Sequence, residues 1–158
     1  MTGGAVIGHI EFYEAIKAGK ISVRMKRKGS SIIFVNDKKQ VLLFLRDDKP
    51  DIPFPNMWDV PGGHVEDNEI PAKCIVREMK EELGMELNGF QTFSVEEFDD
   101  RVEYTFWKKE DIDINKITFT EGQSLKWFSE DEIKNTELAY GFNKILEDFF
   151  AQAPFSKN

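Results

Sequence analysis

The sequence predicts an α/β or α+β fold, in which helices cover both faces of a β-sheet. Strand patterns alternate with helical patterns along the chain, as such sandwiches require. Its apolar and charged fractions, 41% and 32%, are those of an ordinary globular protein, and 158 residues suffice for one sizeable core. Because no repeat, linker or low-complexity segment interrupts the chain, we expect residues 1–158 to form one domain.

The first half of the chain is predicted to hold one helix and three strands. The segment 31–36 is rich in β-branched and aromatic residues and 40–46 is strongly apolar, as in buried strands. Three prolines between residues 47 and 56 predict a loop, because proline cannot donate to a strand ladder. The expected elements are a helix at 10–18, strands at 21–28, 31–36 and 40–46, a polar turn at 36–39, the loop at 47–56 and a short extended segment at 58–61.

The second half begins with a helix predicted at 71–83. Gly84 stands where a glycine that ends a helix belongs. The apolar residues of this helix fall on one stripe that faces the core, with Cys74 on the side away from it. Ser129 and Glu132 form a capping-box pattern that opens a later helix. The other expected elements are a hairpin of strands at 90–98 and 101–108, a strand at 124–128 and a C-terminal helical segment at 138–150.

Composition excludes several classes of partner and site. The net charge of −8 argues against binding the backbone of a nucleic acid polymer. No stretch approaches the roughly 18–20 apolar residues that cross a membrane, and the first 20 residues lack the basic start and apolar run of a signal peptide. The single cysteine excludes an internal disulfide. We therefore expect a cytoplasmic protein that binds neither nucleic acid nor membrane.

Three glutamates on the predicted helix form the strongest chemical signal. At about 100° per residue, Glu78, Glu81 and Glu82 lie on one arc, where their like charges destabilise a helix by about a few tenths of a kcal/mol per pair. Their position near the helix C-terminus is also unfavourable for negative charge. A solvated acidic face is one interpretation. The other is a site for Mg²⁺ or Mn²⁺, because hard oxygen ligands suit these ions.

The spacing around these glutamates favours the metal site. Residues 63–85 follow the pattern G-x5-E-x7-R-E-U-x-E-E-x-G-U, where U is a bulky apolar residue. This segment resembles the Nudix box, with every fixed position matched. The resemblance implies a Nudix fold, an α/β/α sandwich around a mixed β-sheet with a loop–helix–loop catalytic motif. It also implies hydrolysis of a nucleoside diphosphate linked to another moiety. The matched residues are Gly63, Glu69, Arg77, Glu78, Met79, Glu81, Glu82, Gly84 and Met85.

The resemblance also implies roles for individual residues. Arg77 resembles the arginine that orients the glutamates, and Glu69 resembles the glutamate that pairs with it. Gly63 and Gly84 are implied to be structural. The implied metal ligands are Gly62, through its carbonyl oxygen, Glu78, Glu81, Glu82 and Glu121, and the implied catalytic residues are Glu82, Glu81, Glu121 and Arg77.

Segments outside the box are similar to MutT-like members of the family. Residues 58–63 resemble the segment that precedes the box, and residues 121–123 resemble a loop whose glutamate reaches the metal, so Glu121 is expected to be a ligand or the general base. A solvent-exposed loop glutamate is the alternative. The base-recognition asparagine of MutT-like enzymes has no match, since Ala139 or Tyr140 stands at its position. Expected substrate contacts are Arg46, His64, Tyr140 and Asn143.

The resemblance implies a Mg²⁺- or Mn²⁺-dependent hydrolase that cleaves a nucleoside triphosphate to a monophosphate and pyrophosphate. Hydrolysis of a dinucleoside polyphosphate or a nucleotide sugar is the second hypothesis. A catalytically silent domain that senses a nucleotide is the third, although all the box glutamates are present. The expected partner is a small nucleotide, and the chain is expected to be a monomer or a homodimer.

Overall fold

The computed structural model describes residues 26–156, so the predicted helix at 10–18 lies outside the described residues. Within that range no helix is long and apolar enough to span a bilayer. The elements run β1 (Arg27–Val35), β2 (Val41–Leu45), β3 (Trp58–Asp59), β4 (Gly62–His64), α1 (Pro71–Leu83), β5 (Gln91–Glu97), β6 (Arg101–Lys109), β7 (Ser124–Phe128), α2 (Glu130–Lys134) and α3 (Phe142–Gln152). Short 3-10 turns lie at Ile114–Lys116, Ala139–Gly141 and Pro154–Ser156.

Over residues 26–156, the seven strands form one mixed sheet. β1 runs parallel to β6 along its whole length, and β5 is antiparallel to β6 at the edge. β1 pairs with β2 only where Val35 meets Val41, and its first half pairs instead with β4. β2 pairs with β3 and β7. The segment formed by β3 and β4 thus separates β1 from β2, and a cleft opens where the two strands part.

Helices cover both faces of this sheet, because each central strand alternates its apolar side chains between two cores. In β1, Ile32 and Phe34 pack toward α1, whereas Ile33 and Val35 pack toward α2 and α3. Both cores are almost completely buried. The predicted sandwich is confirmed. The α1 core contains Ile32, Phe34, Leu42, Ile75, Met79, Leu83, Leu87 and Phe106.

Helix α1 begins and ends where its sequence predicts. Proline occupies its first turn, where a missing backbone N–H is harmless. Gly84 ends it in the left-handed conformation, with φ of 63°, and its N–H donates to the carbonyl of Lys80. Cys74 is not among the residues of the α1 core, but it is not exposed either. This residue is fully buried, because the loop before the helix folds back over it and His64 O accepts from its thiol at 3.3 Å.

Three secondary-structure elements differ from their predicted bounds. The segments 21–28 and 31–36 are not separate strands over the described residues, because β1 continues through Gly29 and Ser30 along its ladder with β6. Gly62–His64 forms a strand rather than a loop, since β1 offers it an unpaired edge. The helical segment 138–150 is interrupted by the left-handed conformation of Tyr140 and Gly141, so α3 starts at Phe142. The hairpin, the strand at 124–128 and the capping box of α2 are confirmed.

Candidate active site

A cleft of about 560 Å³ lies where β1 and β2 part. One end is acidic, and its side chains come from α1 and from the loop before β7. The other end combines two buried ion pairs with aromatic rings from the segment before α3. The predicted site residues Arg46, Gly62, Gly63, His64, Glu78, Glu81, Glu82, Glu121 and Tyr140 all line it.

Arg77 organises the acidic end. Its guanidinium donates to both carboxylate oxygens of Glu69, at 2.8 and 3.0 Å, and to Glu78 at 2.8 Å. It also contacts Glu81 at 3.2 Å and Glu66 at 3.6 Å. One cation therefore holds four carboxylates, and it joins the loop before α1 to the helix itself. The bidentate contact with Glu69 matches the structural role that the resemblance implies.

The contact between Arg77 and Glu69 predicts a loss of stability in acid. Hydrogen bonds from Arg77 lower the pKa of Glu69 from 4.5 to about 2. A pKa that is lower in the folded than in the unfolded chain stabilises the fold above pH 4.5, and this contribution disappears as the pH falls from 4.5 through 2. Over that window the melting temperature of Glu69→Gln should change less with pH than that of the wild type. Melting temperatures that change equally with pH in the two proteins would contradict the assignment of this contribution to Glu69.

Glu82 is the buried member of the acidic group, with 5% of its surface exposed. Burial, together with the neighbouring Glu78 and Glu121, raises its pKa well above the ordinary range. Gly63 leaves room for the adjoining carboxylate, since a Cβ at this position would stand 2.2 Å from Cδ of Glu78. Crowded carboxylates of this kind favour a bound cation, and their hard oxygens suit Mg²⁺ or Mn²⁺.

The contacts of Arg77 determine how the carboxylates of the acidic end are arranged. Within residues 26–156, no three or more His, Cys, Asp or Glu side chains already form a ready metal cluster. Glu78 and Glu81 are turned to Arg77, while Glu82 lies inside the cleft. The donor set fits a divalent ion in chemistry, but Glu78 and Glu81 would have to turn from Arg77 to bind it.

The loop that carries Glu121 is attached to two sides of the cleft. The backbone N–H of Thr120 donates to the carbonyl of Glu82, and its hydroxyl donates to the carbonyl of Glu81, both at 3.4 Å. On the other side, the Gln123 side chain donates to the carbonyl of Arg46 at 2.7 Å. Glu121, though exposed, thus lies at the acidic end, and its role as a ligand or the general base stays a prediction.

At the opposite end, Arg46 pairs with a buried aspartate. Its guanidinium donates to Asp59 at 3.1 Å, and the other oxygen of that carboxylate accepts from the Val60 N–H at 2.8 Å. Burial raises the pKa of Asp59 to about 6, although Arg46 opposes the shift. Arg46 therefore lies in the cleft, where the resemblance implies a substrate contact. Asp59 partly balances its charge.

A second buried pair joins β6 to the segment before α3. Arg101 donates to Glu103 at 2.6 Å and to the carbonyl of Tyr140 at 3.0 Å, which fixes Tyr140 in its left-handed conformation. The Tyr140 ring lies 5.3 Å from the guanidinium carbons of both Arg46 and Arg101. It also lies 4.6 Å from the ring of Phe54, so the aromatic wall joins two loops.

The last two predicted contacts, His64 and Asn143, differ in position. His64 lies at the rim of the cleft, with its Nδ1 3.0 Å from Arg27, and burial and Arg27 lower its pKa. Asn143 is not among the residues that line the cleft. Its side chain accepts from the N–H of Leu138 and donates to the carbonyl of Thr136, so it ties the turn before α3 together. Its contact with substrate stays a prediction that its position does not favour.

Asp59, Arg101 and Glu103 were not predicted as site residues from the sequence, although all three line the cleft. Arg101 and Glu103 stand two residues apart in a strand, which places both side chains on one face. Charged residues on the covered face of a strand are a signal of a buried site. Burial raises the pKa of the Cys74 thiol to about 12, so this cysteine is not a candidate nucleophile.

The family follows from a comparison of the whole chain. The profile of the NUDIX domain matches residues 25–149. The chain belongs to the NUDIX family. A Bacillus subtilis protein provisionally named 8-oxo-dGTP diphosphatase is 38% identical over 60 residues, which are 38% of this chain and 36% of that protein. The match thus spans about a third of this relative's length.

Solved structures share the NUDIX fold. The MutT protein of Methanosarcina mazei superposes with a TM-score of 0.63 at 21% identity, covering 84% of this chain and 99% of that one. The Escherichia coli ORF135 protein gives a TM-score of 0.63 at 26% identity, with coverage of 84% and 94%. The predicted family and its MutT-like character are confirmed.

Proposed function

We propose that this protein is a Mg²⁺-dependent pyrophosphohydrolase. Its substrate is a nucleoside triphosphate, or a related nucleoside diphosphate derivative, and its products are a nucleoside monophosphate and pyrophosphate. The carboxylate group of Glu78, Glu82 and Glu121, at one end of a cleft with Arg46 and aromatic rings at the other, carries this proposal. The naming of the Bacillus subtilis relative as a diphosphatase of a nucleoside triphosphate supports it.

Different residues of the cleft would hold the metal, accept a proton and bind the substrate. Glu78, Glu81, Glu82, Glu121 and the carbonyl of Gly62 would hold the metal. When bound, Mg²⁺ supplies positive charge that offsets the polyphosphate and eases loss of a proton from a water.

The remaining steps belong to the side chains around the metal-holding group. Glu121, which is exposed in the cleft, or Glu82 would accept the proton of the attacking water. Arg77 keeps the glutamates in place, and Arg46 stands where it can bind a phosphate or the base.

Product analysis with the full chain tests the proposal. We expect each reactive nucleoside triphosphate to give its monophosphate and pyrophosphate in the presence of Mg²⁺, and we expect EDTA to abolish turnover. Release of a nucleoside triphosphate from a dinucleoside tetraphosphate, without turnover of dNTPs, would replace this substrate class by the second hypothesis. Nucleotide binding without any turnover would contradict the proposal and favour a sensor.

A further inference from the structure

Glu103 is a buried carboxylate for which the proposed hydrolysis has no use. It is 4% exposed and it lines the cleft. Arg101 donates to its Oε1, and the Ser31 hydroxyl lies beside it. Two oxygens offer about four acceptor positions, so these neighbours leave acceptor capacity for a ligand in the cleft.

The fold makes room for this carboxylate. Gly29 is its neighbour on β1, and a Cβ at Gly29 would stand 2.5 Å from Oε1 of Glu103. Burying an acid is unfavourable, and the bond that Arg101 donates to one oxygen of Glu103 compensates only part of this cost. Glycine and glutamate together therefore indicate a carboxylate that is kept for contact with something in the cleft.

A flat surface lies in the same cleft. The Tyr140 ring is held by the bond from Arg101 to its carbonyl, and the same guanidinium binds Glu103. The guanidinium groups of Arg46 and Arg27 also lie over this ring, and Phe54 packs against it. Aromatic rings and guanidinium planes are surfaces on which nucleobases stack. Arg101 thus fixes a stacking surface and an edge acceptor relative to one another.

We propose that Glu103 selects the base of the nucleotide, by accepting hydrogen bonds from a base edge with adjacent N–H donors while the base stacks against Tyr140. Guanine-type bases offer such an edge, with the ring N–H next to the exocyclic amine. Adenine and cytosine place an acceptor nitrogen beside their amine, and a carboxylate repels it. The proposal rests on the proposed function, and it names the base class that the site prefers.

The test compares nucleotides rather than total activity. In the wild type, kcat/KM for dGTP should exceed that for dATP, and dITP, which lacks the exocyclic amine, should fall between them. Glu103→Gln keeps the size of the side chain but loses the charge, and it should reduce the dGTP-to-dATP ratio about 10-fold to 100-fold. A merely structural defect would lower all three values alike. Calorimetric binding of dGMP and dAMP gives the same comparison without catalysis.

Two further variants make the test independent of folding. Gly29→Ala retains the charge of Glu103 but displaces its carboxylate, so it should lower the same ratio. Glu97→Gln removes an exposed carboxylate of β5, whose side chain is 70% exposed, and should leave the ratio unchanged.

The outcomes separate this inference from the proposed function. Turnover of dNTPs with a dGTP-to-dATP ratio that neither Glu103→Gln nor Gly29→Ala changes would overturn the inference and leave the function intact. A wild type that prefers dATP, or that binds dGMP and dAMP equally, would also overturn it. Selective binding of dGMP that is lost in Glu103→Gln, without turnover in any protein, supports the inference and rejects the function.

Discussion

Replacing Glu82 by glutamine should lower Mg²⁺-dependent turnover about 10³-fold and at the same time raise the melting temperature of the metal-free protein. The carboxylate is buried beside Glu78 and Glu121, so its charge is unfavourable until a cation binds. Glutamine removes that repulsion but is a poor ligand, and several kcal/mol of transition-state stabilisation are lost. Stopped assays of pyrophosphate release and thermal melts with EDTA measure the two effects.

A loss of turnover together with a gain in stability distinguishes a metal ligand from a residue that only packs. Added Mg²⁺ should raise the melting temperature of the wild type and have little effect on Glu82→Gln, because binding to the folded state alone stabilises it. Glu86→Gln is a matched control: it removes an exposed carboxylate beyond the end of the same helix, paired with Lys80, and should change neither quantity. A variant at Glu82 that is both less active and less stable without metal would indicate a packing role instead.

Replacing Gly62 by alanine should cost about 3 kcal/mol or more of folding free energy. Its Cβ would stand 2.1 Å from the backbone carbonyl oxygen of Ser30 and 2.8 Å from Cα of Ser31. Both contacts are with the backbone of β1, which is fixed by its parallel ladder and cannot move aside. Chemical denaturation should show the loss as a lower midpoint, and turnover should fall because the Gly62 carbonyl moves from the acidic end.

Gly84→Ala is the control that separates the cost of a steric clash from the cost of a left-handed backbone conformation. Gly84 also has a positive φ, 63°, but a Cβ there meets nothing within 4 Å. Alanine at this position should cost only about 1–2 kcal/mol, the penalty of the left-handed conformation. Equal destabilisation by the two substitutions would show that the clash at Gly62 is relieved by movement of β1.

The elements that the sequence predicts well are those with a local cause. Helix α1 has a proline at its start, a glycine at its end and an apolar stripe between them, so its bounds follow from the chain alone. The break predicted near Gly29 is wrong because the neighbouring β6 imposes the extended conformation. Tyr140 adopts a left-handed conformation that few non-glycine residues favour, and the distant Arg101 holds it there. Tertiary partners decide such positions.

The candidate site divides in the same way. The acidic end comes mainly from one helix, so the spacing of Glu78, Glu81 and Glu82 is enough to propose it. The other end is assembled from β2, β3, β6 and the turn before α3, and each contributes one or two residues. Asp59 and Glu103 become meaningful only when the sheet brings their partners to them. For that reason the acidic end was accessible from the sequence, while Asp59, Arg101 and Glu103 at the other end were not.

The contacts of Arg77 with four carboxylates matter most when the protein holds no metal. Because the guanidinium already neutralises part of the acidic segment, the loop before α1 stays joined to the helix when no ion is present. Under the proposed function, loss of the metal would therefore stop turnover reversibly without unfolding this segment. Magnesium supply would set how fast the molecule works, while its abundance and resistance to proteolysis remain those of a folded chain.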